Sequence, residues 1–237
     1  MHVAVGKVVE ITRYPVKSMA GEGLSFAEVD WQGIEGDRQY SFYRTEDKGR
    51  FPWLSGRDKA SLVTYRPSFR DTTSARTSPV DVLTPSGVSL PLEDPALLAE
   101  IGGADHALGL LQSGRGVPDA MPVSIVSTAT YAAVNAAHGA HVDRRRFRAN
   151  IVIESELRET EWCRMRLSFG RETEGAELLL ADCIPRCALI TIDPETGERD
   201  AAIMRTIARE FGNLIGVYAS CARPGIVRLG DVAYLGD

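Results

Sequence analysis

The chain has 237 residues, a formal net charge of −5 and four cysteines. That length suits one large domain or two small ones, and a folded chain of this size buries roughly 70–75% of the surface its unfolded form exposes, so it needs neither disulfides nor a structural metal for stability. The acidic balance argues against nucleic acid as a partner, and Cys163, Cys183, Cys187 and Cys221 make no disulfide framework in so long a chain.

Residues 1–7 lack a basic start followed by an apolar core, so no targeting segment is visible. No apolar run approaches the roughly 20 residues that span a bilayer. Free thiols fit a reducing compartment. The expectation is a soluble, cytoplasmic protein with no membrane partner.

The first third reads as β. Residues 3–11 and 24–31 are mostly apolar or β-branched, residues 39–43 carry three aromatics, and glycines at 21, 23, 33, 36 and 49 punctuate them as turns do. Residues 72–79 form a polar loop. Residues 80–84 and 88–90 flank Pro85-Ser86-Gly87 as a hairpin. Asp94 caps a first helix, Pro95 occupies its first position, and Gly102-Gly103 stops it. A Gly-, Asp- and Pro-rich loop up to Pro122 is the main organisational break.

Residues 122–126 read as a buried strand. Ser127 caps a helix over 128–138, which Gly139 ends. A strand over 151–153 follows the arginine run at 144–148. An apolar stretch at 176–181 leads into a Pro-kinked turn and Cys187. A last helix over 201–211 puts Ile203, Ile207 and Phe211 on one face before Gly212. Residues 214–219 and 231–235 are the closing strands, with Pro224-Gly225 a turn between them. Mostly β with about three helices is an α+β, barrel-like pattern rather than a βαβ array.

Cys187 carries the chemistry. It follows Arg186, and a cysteine beside a guanidinium is biased toward thiolate, a soft metal ligand and a nucleophile. Its residues alone leave other fates open: a small buried hydrophobe, half of a zinc pair with Cys183, or a redox disulfide with Cys183. His2, His106, His138 and His141 are too scattered to complete a zinc site. Lys17 and Ser18, in a loop after the first strand, supply a point charge and a hydroxyl to an anion. The plain alternative is a solvated lysine. Asp37 and Arg38 read either as a site or as a surface pair of little energy. Arg148 and Asn150 can meet a phosphate or a heterocycle edge, although a charge run is usually a solvated loop.

Several segments occur together in one order: YPVKSMAG at 14–21, GIEGDRQY at 33–40, PVSIVSTAT at 122–130, FRANIVIE at 147–154, the ETEW run at 159–162, RCALITIDPETGE at 186–198 and PGIVRLGDVAYL at 224–235. The chain thereby resembles the MOSC family, in the branch with an N-terminal β-barrel extension that includes the mitochondrial amidoxime-reducing components. The resemblance implies an N-terminal β-barrel region over residues 1–105 and a MOSC domain over 106–237. It implies a molybdenum–molybdopterin cofactor whose metal is held by Cys187. It places Lys17, Ser18 and Arg38 at the cofactor phosphate, Arg148 and Asn150 at the pterin, Arg186 beside the metal, and Ser127 and Thr130 near the cofactor. Ala149 stands where the family often has Pro, Tyr40 where it has Trp, and Pro185 falls between the two cysteines, which bears on substrate identity rather than on metal binding.

The function so implied is reduction of N-hydroxylated compounds by oxygen-atom transfer, with Cys187 and Arg186 at the reacting centre. Its partners are a small N-hydroxylated substrate and a separate electron-donor protein of ferredoxin, flavin-reductase or cytochrome type, since the chain has no iron–sulfur cysteine spacing. Two alternatives stay open: a sulfur-transfer protein carrying a persulfide on Cys187, and a cofactor-binding protein without turnover.

Overall fold

A computed structural model describes residues 2–49, 51–103, 107–170 and 174–236. Seven strands close into a barrel. Their order is Val3–Arg13, Ile151–Glu154, Val123–Ser127, Leu214–Arg223, Glu177–Pro185, Arg166–Phe169 and Val232–Gly236, and the last pairs back with the first. Closure removes the unpaired edges an open sheet would present. All pairings are antiparallel except that between Val123–Ser127 and Ile151–Glu154. A parallel pair needs a crossover, and helix α2 (Thr128–His138) supplies it.

The first strand serves both neighbours in turn. Its start pairs with Val232–Gly236 and its end with Ile151–Glu154, with a bulge in each ladder. Gly6 sits at this handover, where a Cβ would stand 2.1 Å from the Glu154 carbonyl oxygen. Ile125, Ile153, Leu167, Leu178 and Val217 fill the barrel interior, the inward half of a period-two alternation.

After Arg13 the chain leaves the barrel and builds a second lobe. Tyr40–Arg44 pairs with Leu108–Gln112, and Arg66–Phe69, Val80–Leu83 and Ser89–Pro91 form a meander. Helix α1 (Pro95–Gly102) covers these sheets, with Asp94 capping it through the Ala96 N–H and Pro95 in its first turn. Phe42, Leu62, Val82, Leu97 and Ile101 make this lobe's core. The barrel therefore takes its first wall from the 1–105 region, and the 105/106 boundary lies outside the described residues.

Helix α3 (Ala201–Phe211) begins at Asp200, which accepts from the Ala202 N–H, and ends at Gly212 in the left-handed region. Its Ile203 and Ile207 join Tyr131, Val134 and Phe147 in a third core beneath α2, with Phe211 packed against it.

Three expectations change. The Pro-kinked turn before Cys187 is strand as far as Pro185, bent by bulges on both sides of Cys183; pairing with Leu214–Arg223 outweighs the local proline signal because the kink is absorbed as a bulge. Pro224 separates two strands, the second being Gly225–Arg228, which adds to Phe26–Asp30. The loop before Pro122 contains the strand Leu108–Gln112, whose five residues gain their β form from pairing with Tyr40–Arg44.

Candidate functional site

The barrel and the second lobe meet along two short segments. The Lys17 N–H donates to the Tyr40 carbonyl at 2.8 Å, Arg38 N–H to Tyr14 at 2.6 Å and Tyr40 N–H to Pro15 at 3.1 Å. This ladder sets Lys17, Ser18 and Arg38 side by side. Across from them, Arg148 ends the turn of 3-10 helix Arg144–Phe147, and Arg186 and Cys187 follow the strand Glu177–Pro185. These six residues line one cavity of about 540 Å³. Phe51, Trp53, Phe147 and Tyr218 add aromatic walls. Cys187 is half-buried and stands at the N-cap of the 3-10 turn Ala188–Thr191.

Backbone strain collects here. Among the described residues, five non-glycines have a positive φ: Ser18 (69°), Arg38 (50°), Arg148 (52°), Arg164 (68°) and Asn213 (67°). Such conformations cost energy and persist where the surroundings over-determine them. Three of the five line the cavity. A fourth, Asn213, clamps Arg186: its side-chain amide donates to the Arg186 carbonyl at 2.8 Å, and its carbonyl accepts the Arg186 N–H at 2.9 Å.

The arginines are held by backbone carbonyls more than by carboxylates. Arg186 donates from Nε to Ile215 and from Nη1 to Phe147, both at 2.8 Å, and lies over the Phe147 ring. Arg148 donates from Nη1 to Met19 at 2.6 Å and stacks 4.2 Å from the Tyr14 ring centroid. In both, Nη2 is buried without a partner. An orphaned donor of this kind costs free energy until an acceptor arrives. Burial draws the Arg148 pKa down to about 10 and lowers that of Arg186. Gly216 makes room for Arg186: a Cβ there would stand 2.9 Å from Nη2.

Lys17 donates to the Val117 carbonyl at 3.0 Å and to Asp119 at 2.5 Å. Burial lowers its pKa, and Asp119 works in the opposite direction. Arg38 pairs with Asp37 and reaches Asn150 Oδ1 at 3.3 Å. The Asp37–Arg38 pair is not a surface pair: their side chains are 4% and 15% exposed. Asp37 also accepts from the Tyr14 N–H at 2.8 Å and from Asn150 Nδ2 at 3.0 Å.

Asn150 is a keystone of the wall behind the cavity. Its Oδ1 accepts from the Ser124 N–H and hydroxyl, and its Nδ2 also donates to the Thr12 carbonyl. Ser127 and Thr130 likewise turn inward. Both hydroxyls donate to Glu159 Oε2, at 2.7 and 2.6 Å, while the N–H groups of Ser127 and Gly216 complete the shell of that fully buried carboxylate. Neither lines the Cys187 cavity; Ser124 does.

The arginine run is a clamp with a solvated rim, Arg144 and Arg145 lying at the surface and Arg146 packed in. Arg144 pairs with Glu10, Arg145 with Asp143 and Glu195, and Arg146 with Asp193. Arg146 also donates to the Thr191 carbonyl at 2.8 Å, fixing the turn that follows Cys187. Cys183 is apart from this site, with its sulfur 3.3 Å from that of Cys163. Among the described residues, no group of three or more His, Cys, Asp or Glu could hold a metal by itself.

Glu159 and Ser124 carry no sequence signal as site residues, and Asp37 is marked only as one half of the Asp37–Arg38 pair. Glu159 opens the ETEW run, but no local feature marks a carboxylate as fully buried, and Ser124 is concealed in an apolar strand.

The cavity beside the closed barrel thus brings together one thiol and two arginines, each with a partnerless guanidinium nitrogen. The chain belongs to the MOSC-domain family: the MOSC domain model matches residues 112–234, and the MOSC N-terminal beta barrel domain model matches residues 5–91. It is 25% identical to mitochondrial amidoxime-reducing component 1 of Mus musculus over 98% of this chain and 82% of that protein. It is 38% identical to a molybdenum cofactor sulfurase of Anopheles gambiae over 32% of this chain. The chain spans about a tenth of the length of the sulfurases it matches. The YUAD protein from Bacillus subtilis has a solved structure that aligns over 99% of this chain at 14% identity and a TM-score of 0.48.

Proposed function

We propose that the chain is a molybdenum-cofactor-dependent reductase of N-hydroxylated compounds. One observation carries this: the Cys187 sulfur shares its cavity with two buried arginines that each keep one guanidinium nitrogen without a partner. A molybdenum–molybdopterin group suits that donor set, with a thiolate for the metal and cationic donors for phosphate and pterin oxygens. Lys17, Ser18 and Arg38 would hold the phosphate, Arg148 the pterin, and Cys187 the metal with Arg186 beside it. Asn150, Ser127 and Thr130 act as positioning residues in this account, through Asp37 and Glu159.

When bound, the group would supply two electrons to the N–O bond of the substrate and take up its oxygen atom. The chain does the rest. Its cations offset the cofactor's negative charge in a poorly solvated cavity, where such terms are stronger than in water. Phe51 and Trp53 stand at the mouth as flat surfaces for an organic substrate. Electrons come from a separate donor protein.

The test is turnover of an amidoxime with reduced viologen, using protein made in a cofactor-competent host. Amidine should form, and Cys187→Ser should lose more than about 100-fold in rate, beyond the roughly 10–100-fold typical of losing an outer-shell partner. Full activity in the variant would sink the assignment. The local match to cofactor sulfurases keeps a second reading, in which Cys187 carries a persulfide; a metal-free adduct of one extra sulfur on Cys187 would establish that instead.

A further inference from the structure

Cys163 and Cys183 form a thiol pair outside the cavity. Their sulfurs are 3.3 Å apart, and both residues are half-buried, so neither is sealed from small solutes. Cys163 directly follows the 3-10 turn Glu159–Trp162, which Glu159 and Trp162 pin to the barrel by burial. Cys183 lies in the strand Glu177–Pro185, where the ladder slips on both sides of it. The two backbones run together: Arg164 N–H donates to the Leu180 carbonyl at 3.1 Å, and Leu180 N–H to Met165 at 2.9 Å.

We propose that Cys163 and Cys183 are a site of reversible oxidation, closing to an intramolecular disulfide in the presence of a hydroperoxide. The sulfurs must approach by roughly 1.2 Å to reach the bond length of about 2.05 Å, and the bulged strand around Cys183 supplies the slack. Burial and the Cys183 thiol push the Cys163 pKa up to about 11, which disfavours the Cys163 thiolate, and the proposed order has Cys183 oxidised first. Its sulfur attacks one oxygen of the peroxide. An S–O bond forms, the O–O bond breaks, and the departing hydroxide takes the Cys183 proton and leaves as water. Sulfur has then given two electrons to the peroxide. The Cys163 sulfur attacks the resulting sulfenic acid, the S–S bond forms, the S–O bond breaks, and the second hydroxide leaves as water with the Cys163 proton. Two thiols and one peroxide become one disulfide and two waters.

The experiment treats the full chain with hydrogen peroxide, blocks remaining thiols and maps the peptides. The expected product is a Cys163–Cys183 crosslink that a dithiol reductant reverses, with two thiols lost per chain. Cys163→Ser should abolish the crosslink and send Cys183 on to irreversible oxidation, while Cys187→Ser and Cys221→Ser should leave it in place. A crosslink between Cys183 and Cys187 overturns the proposal. So does retention of both thiols at peroxide levels that oxidise the similarly half-buried Cys221. Mapping the unmodified protein decides the matter even where a variant fails to fold.

Discussion

At the scale of single residues, the buried carboxylates organise the site. Glu159 accepts four hydrogen bonds: from the Ser127 N–H and hydroxyl, the Thr130 hydroxyl and the Gly216 N–H. It thereby joins the start of α2 to the strand whose Gly216 leaves room for Arg186. Glu159→Ala removes a charged acceptor and strands those donors, each worth about 1–3 kcal/mol when left buried and unpaired. The expected loss is about 3 kcal/mol or more in unfolding free energy, measured by urea denaturation. Tyr14 gives a pH signature. Burial pushes its pKa up from 10.0 to about 12, against the pull of Arg148 and Arg38, and its hydroxyl donates to the Ala149 carbonyl at 3.2 Å. The folded state therefore favours the neutral phenol. Its contribution is fully present below pH 10 and is lost as pH rises toward 12, by about 2–3 kcal/mol at 1.36 kcal/mol per unit. Tyr14→Phe should flatten part of the alkaline limb of the stability curve. Part will remain, because burial and Glu100 also raise the Tyr65 pKa.

At the scale of elements, the site is made by closure. Cys187 and Arg186 follow one barrel strand, Arg148 precedes another, and Lys17 and Arg38 belong to segments that run on from the first strand. Helix α3 presses on the 3-10 turn after Cys187, with Ile190 and Ile207 in one core. Ile207→Ala opens a cavity there and should cost about 2–5 kcal/mol, seen as a lower urea midpoint with an unchanged slope. An unaltered midpoint would mean that α3 is not integral to the site's floor. The helices were the most legible elements, because their signals are local: Asp94 with Pro95, Ser127 with Gly139, and the apolar face Ile203, Ile207 and Phe211 before Gly212. Strands were legible where alternation or β-branching marked them. Leu108–Gln112 and Gly225–Arg228 were concealed because their pairing partners lie far away in sequence.

At the scale of the molecule, seven strands contributed from both ends of the chain support a cavity at the seam between two lobes. Ordered motifs marked Lys17, Arg38, Arg148, Arg186 and Cys187 as candidates, and the fold sets all five along one cavity. What sequence spacing could not convey was direction. Asn150, Ser127 and Thr130 carry the same kinds of polar atoms, yet they point into the protein and satisfy Asp37 and Glu159. Cys183 shares the motif of Cys187, yet a bulged strand turns it toward Cys163. The central claim concerns the sulfur of Cys187, and the most direct measurement is molybdenum content after expression in a cofactor-competent host. Unmodified protein and Cys183→Ser should both hold near-stoichiometric metal, whereas Cys187→Ser should lose it even where some pterin stays bound. Equal molybdenum in all three, or none in the unmodified protein, would contradict the account.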